Sequence, residues 1–137
     1  MAIILLLLGT LVIIGIVVTA FFFEFISVKG QSMYPGLKSG QVVLIKKRLQ
    51  KKDMIIGRIY VYTPFEKSLV IKRLVSIREK DVLSNWDFFM KYWMEGDNKN
   101  HSKDSRVYGY VELSQVVGVV IKIFGEGVDD SAGNSDS

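Results

Sequence analysis

The chain opens on an apolar run. From Ala2 to Phe23 there are 22 residues and not one charge. At 1.5 Å per helical residue such a run spans roughly 33 Å, enough for the hydrocarbon core of a bilayer. Gly9 and Gly15 do not argue against this, because glycine is common in membrane helices. Val18-Thr19-Ala20 offers the small residue of a leader cleavage site. The run is nevertheless longer than the roughly 7–15 apolar residues of a cleavable leader, and no Lys or Arg precedes it. Residues 1–24 are therefore read as a membrane anchor. That leaves about 100 residues for a folded core, enough for one small domain.

After the anchor the periodicity changes to that of short strands. Ile26 to Gly30 alternates, Gln41 to Ile45 is apolar and β-branched, and Ile55 to Thr63 alternates around Ile59 and Val61. Ser68 to Ile77, Phe88 to Met94 and Val116 to Phe124 continue the theme. Turn signals separate them at Pro35-Gly36, Ser39-Gly40, Thr63-Pro64 and Gly96-Asp97-Asn98. Short strands without a long amphipathic helix predict a mainly β domain over 25–124, an antiparallel sheet behind a single transmembrane helix. Residues 125–137 are small, polar and acidic, a composition that predicts a disordered tail.

Composition excludes several chemistries. There is no cysteine, so neither a disulfide framework nor a thiolate nucleophile is available. His101 is the single histidine, which argues against a His/Cys metal site and against any cofactor held that way. Net charge is +4, and without the four tail acids Glu126, Asp129, Asp130 and Asp136 the balance is 18 basic against 10 acidic residues, +8. Five bases fall between Lys46 and Lys52. A solvated turn accounts for them, and contact with anionic lipid headgroups is the functional alternative. No recognition motif accompanies the charge, so nucleic acid is not an expected partner.

Three pieces carry chemistry. The first is Gly30-Gln31-Ser32-Met33-Tyr34-Pro35-Gly36-Leu37, just after the anchor. The second is a lysine inside a hydrophobic strand, Val70-Ile71-Lys72-Arg73. The third is Gly96-Asp97-Asn98-Lys99-Asn100-His101-Ser102-Lys103-Asp104-Ser105-Arg106. A serine hydroxyl needs a base before it attacks. His101 sits in a polar loop and reads as solvated. A lysine serves instead where burial disfavours its ammonium form. In a strand Val70, Lys72 and Leu74 share a face, so Lys72 has apolar neighbours. Ile26, Val28, Gly30 and Ser32 would likewise share a strand face and line the approach to the hydroxyl. The alternative readings are a snorkelling lysine, an Asx-rich surface turn, and core packing for the apolar residues.

In this order the three pieces resemble the type I signal peptidases, membrane-anchored serine proteases with a Ser-Lys dyad. The resemblance implies Ser32 as nucleophile, Lys72 as general base and Ser102 as the hydroxyl that hydrogen-bonds and aims the lysine. It implies that Arg73, Asp97, Asp104 and Arg106 brace the site. It also implies that the substrate adds as a β-strand, with Ile26, Val28, Gly30, Met33, Leu37 and Val70 shaping pockets for small side chains. The implied partners are signal peptides of exported preproteins, the bilayer, and a secretion translocon or pilus precursors. The spacing of 40 residues from Ser32 to Lys72 suits the shorter members typical of Gram-positive bacteria, and 24 residues from Lys72 to Gly96 leave no room for a second subdomain. Lys29 and Lys38 follow the helix, and charge alone would place the domain in the cytoplasm. The resemblance implies the opposite, a single-pass protein with its domain on the extracellular side of the cytoplasmic membrane.

The chain departs from the family at two places. Gly36 stands where S-M-x-P-T-L has threonine, which loosens the backbone and removes a hydroxyl. Leu74 to Asp81 replaces a G-x-P-G-D turn. These departures motivate a second expectation, an accessory chaperone for pilus or surface-protein assembly that holds precursors with little cleavage. Val28 to Met33 also resembles self-cleaving Ser-Lys regulators, but those are soluble and lack the third string.

Overall fold

The structure, a computed structural model, describes residues 1–65, 68–80 and 89–128. Helix α1 (Ala2–Phe22) passes without a linker into strand β1 (Phe23–Ser27), and the Phe23 N–H still donates to the Thr19 carbonyl. α1 is long and apolar enough to cross a membrane, and none of it is buried by the domain. The expected anchor over 1–24 thus gives its last two residues to β1. There Phe23 and Glu24 pair with Lys46 and Ile45.

Strands β2 (Val42–Lys47), β3 (Ile59–Tyr62), β4 (Val70–Lys80), β5 (Phe89–Glu95) and β6 (Val116–Phe124) complete one antiparallel sheet in the order β1-β2-β6-β3-β4-β5. A short helix α2 (Ser105–Tyr108) packs against β5. The fold is mainly β, as the alternating segments predict. β3 starts later than expected, because Ile55 to Gly57 make a turn: Gly57 takes a φ of +91° and the Tyr60 hydroxyl accepts from the Ile55 N–H at 2.7 Å. Phe88, expected to open β5, lies outside the described residues. So do 129–137 of the expected tail. Its first residues are held to the turn after the Ser32 segment: Val128 N–H donates to Ser39 O at 2.8 Å, and Gln41 Nε2 to Gly125 O at 2.9 Å.

The alternation of β3 splits the core. Tyr60 and Tyr62 join Leu74, Tyr92, Met94 and Val119 in one buried cluster. Val61, on the other face, joins Val28, Met33, Leu37, Val43 and Ile45. The candidate catalytic segments lie where the two meet. The Ser32 turn is anchored in the second cluster through Met33 and Leu37. Lys72 pairs with Tyr60 of the first across the β3–β4 ladder. Among the described residues β5 pairs with β4 only from Arg73 onward, and Val70 to Lys72 have a strand neighbour on the β3 side alone.

Candidate active site

Strand β1 ends at Ser27, and Gly30 takes a φ of +77°, a left-handed conformation glycine tolerates. Ser32 therefore does not continue a strand face with Ile26, Val28 and Gly30, as the alternation suggests. It sits half-buried in a turn closed by Tyr34 N–H to Gln31 O and Leu37 N–H to Met33 O. Its carbonyl accepts from the Asn98 N–H at 3.0 Å, which ties the serine turn to the third motif.

Lys72 is only 4% exposed and aims its ammonium at that turn. Its Nζ lies 2.8 Å from Ser32 Oγ and donates to Ile71 O at 3.0 Å. Burial pushes the lysine pKa down, and the nearby Asp104 charge pulls it part of the way back. A cleft of about 310 Å³ opens onto the pair. Ile26, Val28, Gly30 and Met33 line one wall and Leu69, Val70 and Ile71 the other. Five of the six residues expected at the substrate are there. Leu37 is not: it is fully buried in the second core cluster, where it closes the serine turn rather than shaping a pocket. Leu69, half exposed on the opposite wall, is a lining residue that sequence reasoning missed: it reads as part of a strand over Ser68 to Ile77, whereas β4 begins at Val70.

The four expected bracing charges form two pairs. Arg73 grips Asp97 through two bonds, Nε to Oδ1 at 2.8 Å and NH2 to Oδ2 at 2.7 Å, and its NH1 donates to Gly57 O. Arg106 grips Asp104 in the same two-pronged way, at 2.9 Å on each side. Such forked pairs add geometric specificity to charge. Asp104 is 0% exposed and also accepts from the Gly96 N–H, the Arg106 N–H and the Ser102 hydroxyl. Burial alone would raise its pKa, but these donors, Arg106 foremost, hold it well below the usual carboxylate range. Ser105, its neighbour, receives the Met94 N–H at 2.9 Å and fastens the loop to β5.

Ser102 departs from its expected bond. Its hydroxyl donates to Asp104 Oδ2 at 2.8 Å, and no hydrogen bond joins it to Lys72 among the described residues. The deeply buried carboxylate is the stronger acceptor and captures the hydroxyl proton. Ser102 still packs beside the dyad: a Cβ on Gly96 would collide with Ser102 Oγ and with the Ser32 carbonyl oxygen. His101 is exposed, with its ring 3.4 Å from Asn98 Oδ1, in keeping with a loop role.

Gly36 answers to space rather than to backbone freedom. A Cβ there would occupy the position of Asp97 Oδ2 and press on Arg73 and the Met33 carbonyl. The glycine lets the Arg73–Asp97 pair sit directly on the serine turn.

A buried lysine thus lies against a half-buried serine at an open cleft, in a domain behind an apolar helix. The family described as "Signal peptidase, peptidase S26" matches residues 1–82 and 90–124. The chain belongs to the S26 signal peptidases. The mitochondrial inner membrane protease subunit 1 of Homo sapiens is 28% identical over 106 residues, which is 65% of this chain. The chain spans 61% of the length of that curated relative.

Proposed function

We propose that this chain is a single-pass Ser–Lys endopeptidase that removes N-terminal signal peptides from exported preproteins, with its domain on the outer side of the membrane. The observation that carries the reading is the 2.8 Å approach of a buried Lys72 Nζ to Ser32 Oγ. Neutral Lys72 takes the hydroxyl proton as Oγ attacks the scissile carbonyl. The Ser32 N–H, which has no acceptor among the described residues, faces the developing oxyanion. The lysine ammonium then gives its proton to the leaving amine, and an acyl-enzyme on Ser32 remains. A water, deprotonated by Lys72, releases it. Asp104 keeps its charge throughout. It fixes Ser102 and the Gly96 loop against the back of the dyad.

The precursor enters as an added strand. Among the described residues Val70 to Lys72 have no β5 partner, and Ile26 to Gly30 form the facing wall, so a peptide between them finds backbone partners on β4. Ile26, Val28, Leu69 and Val70 supply apolar contacts along the cleft, which suits small side chains at the first and third positions before the cut. The bare β4 edge would serve a chaperone equally well, so holding precursors without cleavage is the second reading.

The test is cleavage of a precursor peptide with Ala at positions −1 and −3, read by mass spectrometry beside Ser32→Ala and Lys72→Ala. One cut after the −1 Ala, lost in both variants, is expected. Binding of the peptide without any cut would overturn the peptidase reading in favour of the chaperone.

A further inference from the structure

A second cleft lies at the other end of β1, where the domain meets the membrane. β2 runs antiparallel to β1 with Phe23 opposite Lys46, so it returns to the level of the helix end and passes it with Lys47 and Arg48. Arg48 takes a left-handed φ of +56°, uncommon for a residue other than glycine. This backbone turns the side chain back over α1, and the guanidinium carbon stands 3.3 Å from the centre of the Phe21 ring. Beside it a groove of about 480 Å³ is lined by Val17, Ala20, Phe21, Lys47, Arg48 and Val117.

The groove combines two chemistries that a soluble ligand would not need together. Its floor is the last turns of α1, continuous with the apolar surface that is long enough to cross a membrane. Its rim is cationic and only partly neutralised. Lys47 meets Glu24 at 3.2 Å and Lys46 meets Asp53 at 3.7 Å, but no carboxylate pairs with Arg48 among the described residues. Stacked on Phe21, Arg48 keeps the N–H edge of its guanidinium open, the edge that forks onto phosphate oxygens.

We propose that this groove binds one anionic glycerophospholipid from the leaflet on the domain's side. Arg48 and Lys47 hold its phosphate, and Val17, Ala20 and Phe21 take its acyl chain. The lipid seats this end of the sheet at headgroup level, independently of the chemistry at Ser32.

The test uses the full chain in detergent micelles with phosphatidylglycerol or phosphatidylcholine added, and native mass spectrometry reads the bound lipid. A single phosphatidylglycerol is expected to be retained in preference to phosphatidylcholine. Arg48→Gln should lower that preference about fivefold, the worth of one juxtamembrane cation. Arg48→Lys should keep most of it. Lys122→Gln removes the same charge from the opposite end of β6 and should leave it unchanged. Ala20→Trp fills the groove from an exposed helix face, outside both core clusters, and should lose the adduct even if Arg48→Gln proves poorly folded. Equal retention of the two lipids, equal loss in Arg48→Gln and Lys122→Gln, retention in Ala20→Trp, or displacement by excess inorganic phosphate would each overturn the proposal.

Discussion

Lys72 and Asp104 are both charged groups taken out of water, at 4% and 0% exposure, and their surroundings treat them in opposite ways. Among the described residues Lys72 has two hydrogen bonds, to a hydroxyl and a carbonyl, and no direct carboxylate partner. Asp104 has a forked arginine, two backbone N–H groups and a hydroxyl. Both pKa values move down, for opposite reasons: burial disfavours the charged form of the lysine, and donors favour the charged form of the aspartate. A poorly compensated buried charge is poised to change its state; a saturated one is fixed in it. In this site burial alone does not mark the reactive group. The number of partners does.

Mutation should separate the two at once. Lys72→Met and Lys72→Arg, like Ser32→Ala, are expected to lower cleavage by about 10⁴-fold or more while the domain still melts cooperatively. Arginine fails because it stays protonated. An active arginine variant would break the comparison on the lysine side. Asp104→Ala should do the reverse in kind, costing roughly 3–5 kcal/mol in a denaturant titration because Arg106 and three other donors lose their acceptor.

Titration sharpens the contrast. Cleavage should climb about tenfold per pH unit while Lys72 is mostly protonated and level off above its lowered pKa. The same lowered value means that the unfolded chain binds more protons, so Lys72 makes the fold more stable as pH rises toward its unfolded pKa of about 10.4. Asp104 contributes stability that is fully present above its unfolded pKa of about 3.9, and the contribution drains away as pH falls through the folded value. Asp104→Asn should flatten that acid limb of the melting curve, while Lys72→Met leaves it in place.

Gly36→Thr, which would bring the turn back to the family's pattern, should lower stability by roughly 1–3 kcal/mol and slow cleavage, since its Cβ displaces Asp97 from Arg73. Faster cleavage in that variant would sink the steric account. Tyr62→Phe carries the smallest effect. The Tyr62 hydroxyl is buried with no hydrogen-bond partner among the described residues, so its removal should be neutral or stabilising by about 1 kcal/mol in thermal melts, with cleavage intact.

The sequence made the sheet legible because β-branched and aromatic residues alternate in short blocks between glycine and proline turns. Its boundaries slipped where aromatics serve two elements. Phe23 and Glu24 read as the end of a membrane anchor, yet they pair as β1 with β2. Ser32 and Lys72 could be singled out from motif and strand parity, and the geometry brings them together. The arrangement around them was less accessible. That Ser102 turns to Asp104, that Leu37 is core, and that Gly36 lies under a carboxylate all depend on which distant residue fills the adjacent space, and no local pattern encodes that. The Gly96-Asp97-Asn98 run did signal a turn. Its backbone contact with the Ser32 carbonyl is a tertiary fact.

The direct passage of α1 into β1 sets a limit on reach. Nine peptide steps separate Phe23 from Ser32, so the hydroxyl can stand no more than roughly 30 Å from the end of the helix. The first part of that span, Phe23–Ser27, is paired sheet and cannot go slack. On the proposed reading the enzyme works like a blade on a fixed post: bonds that emerge from the bilayer at the height of the blade are cut, and the same bonds in a precursor already released are out of range.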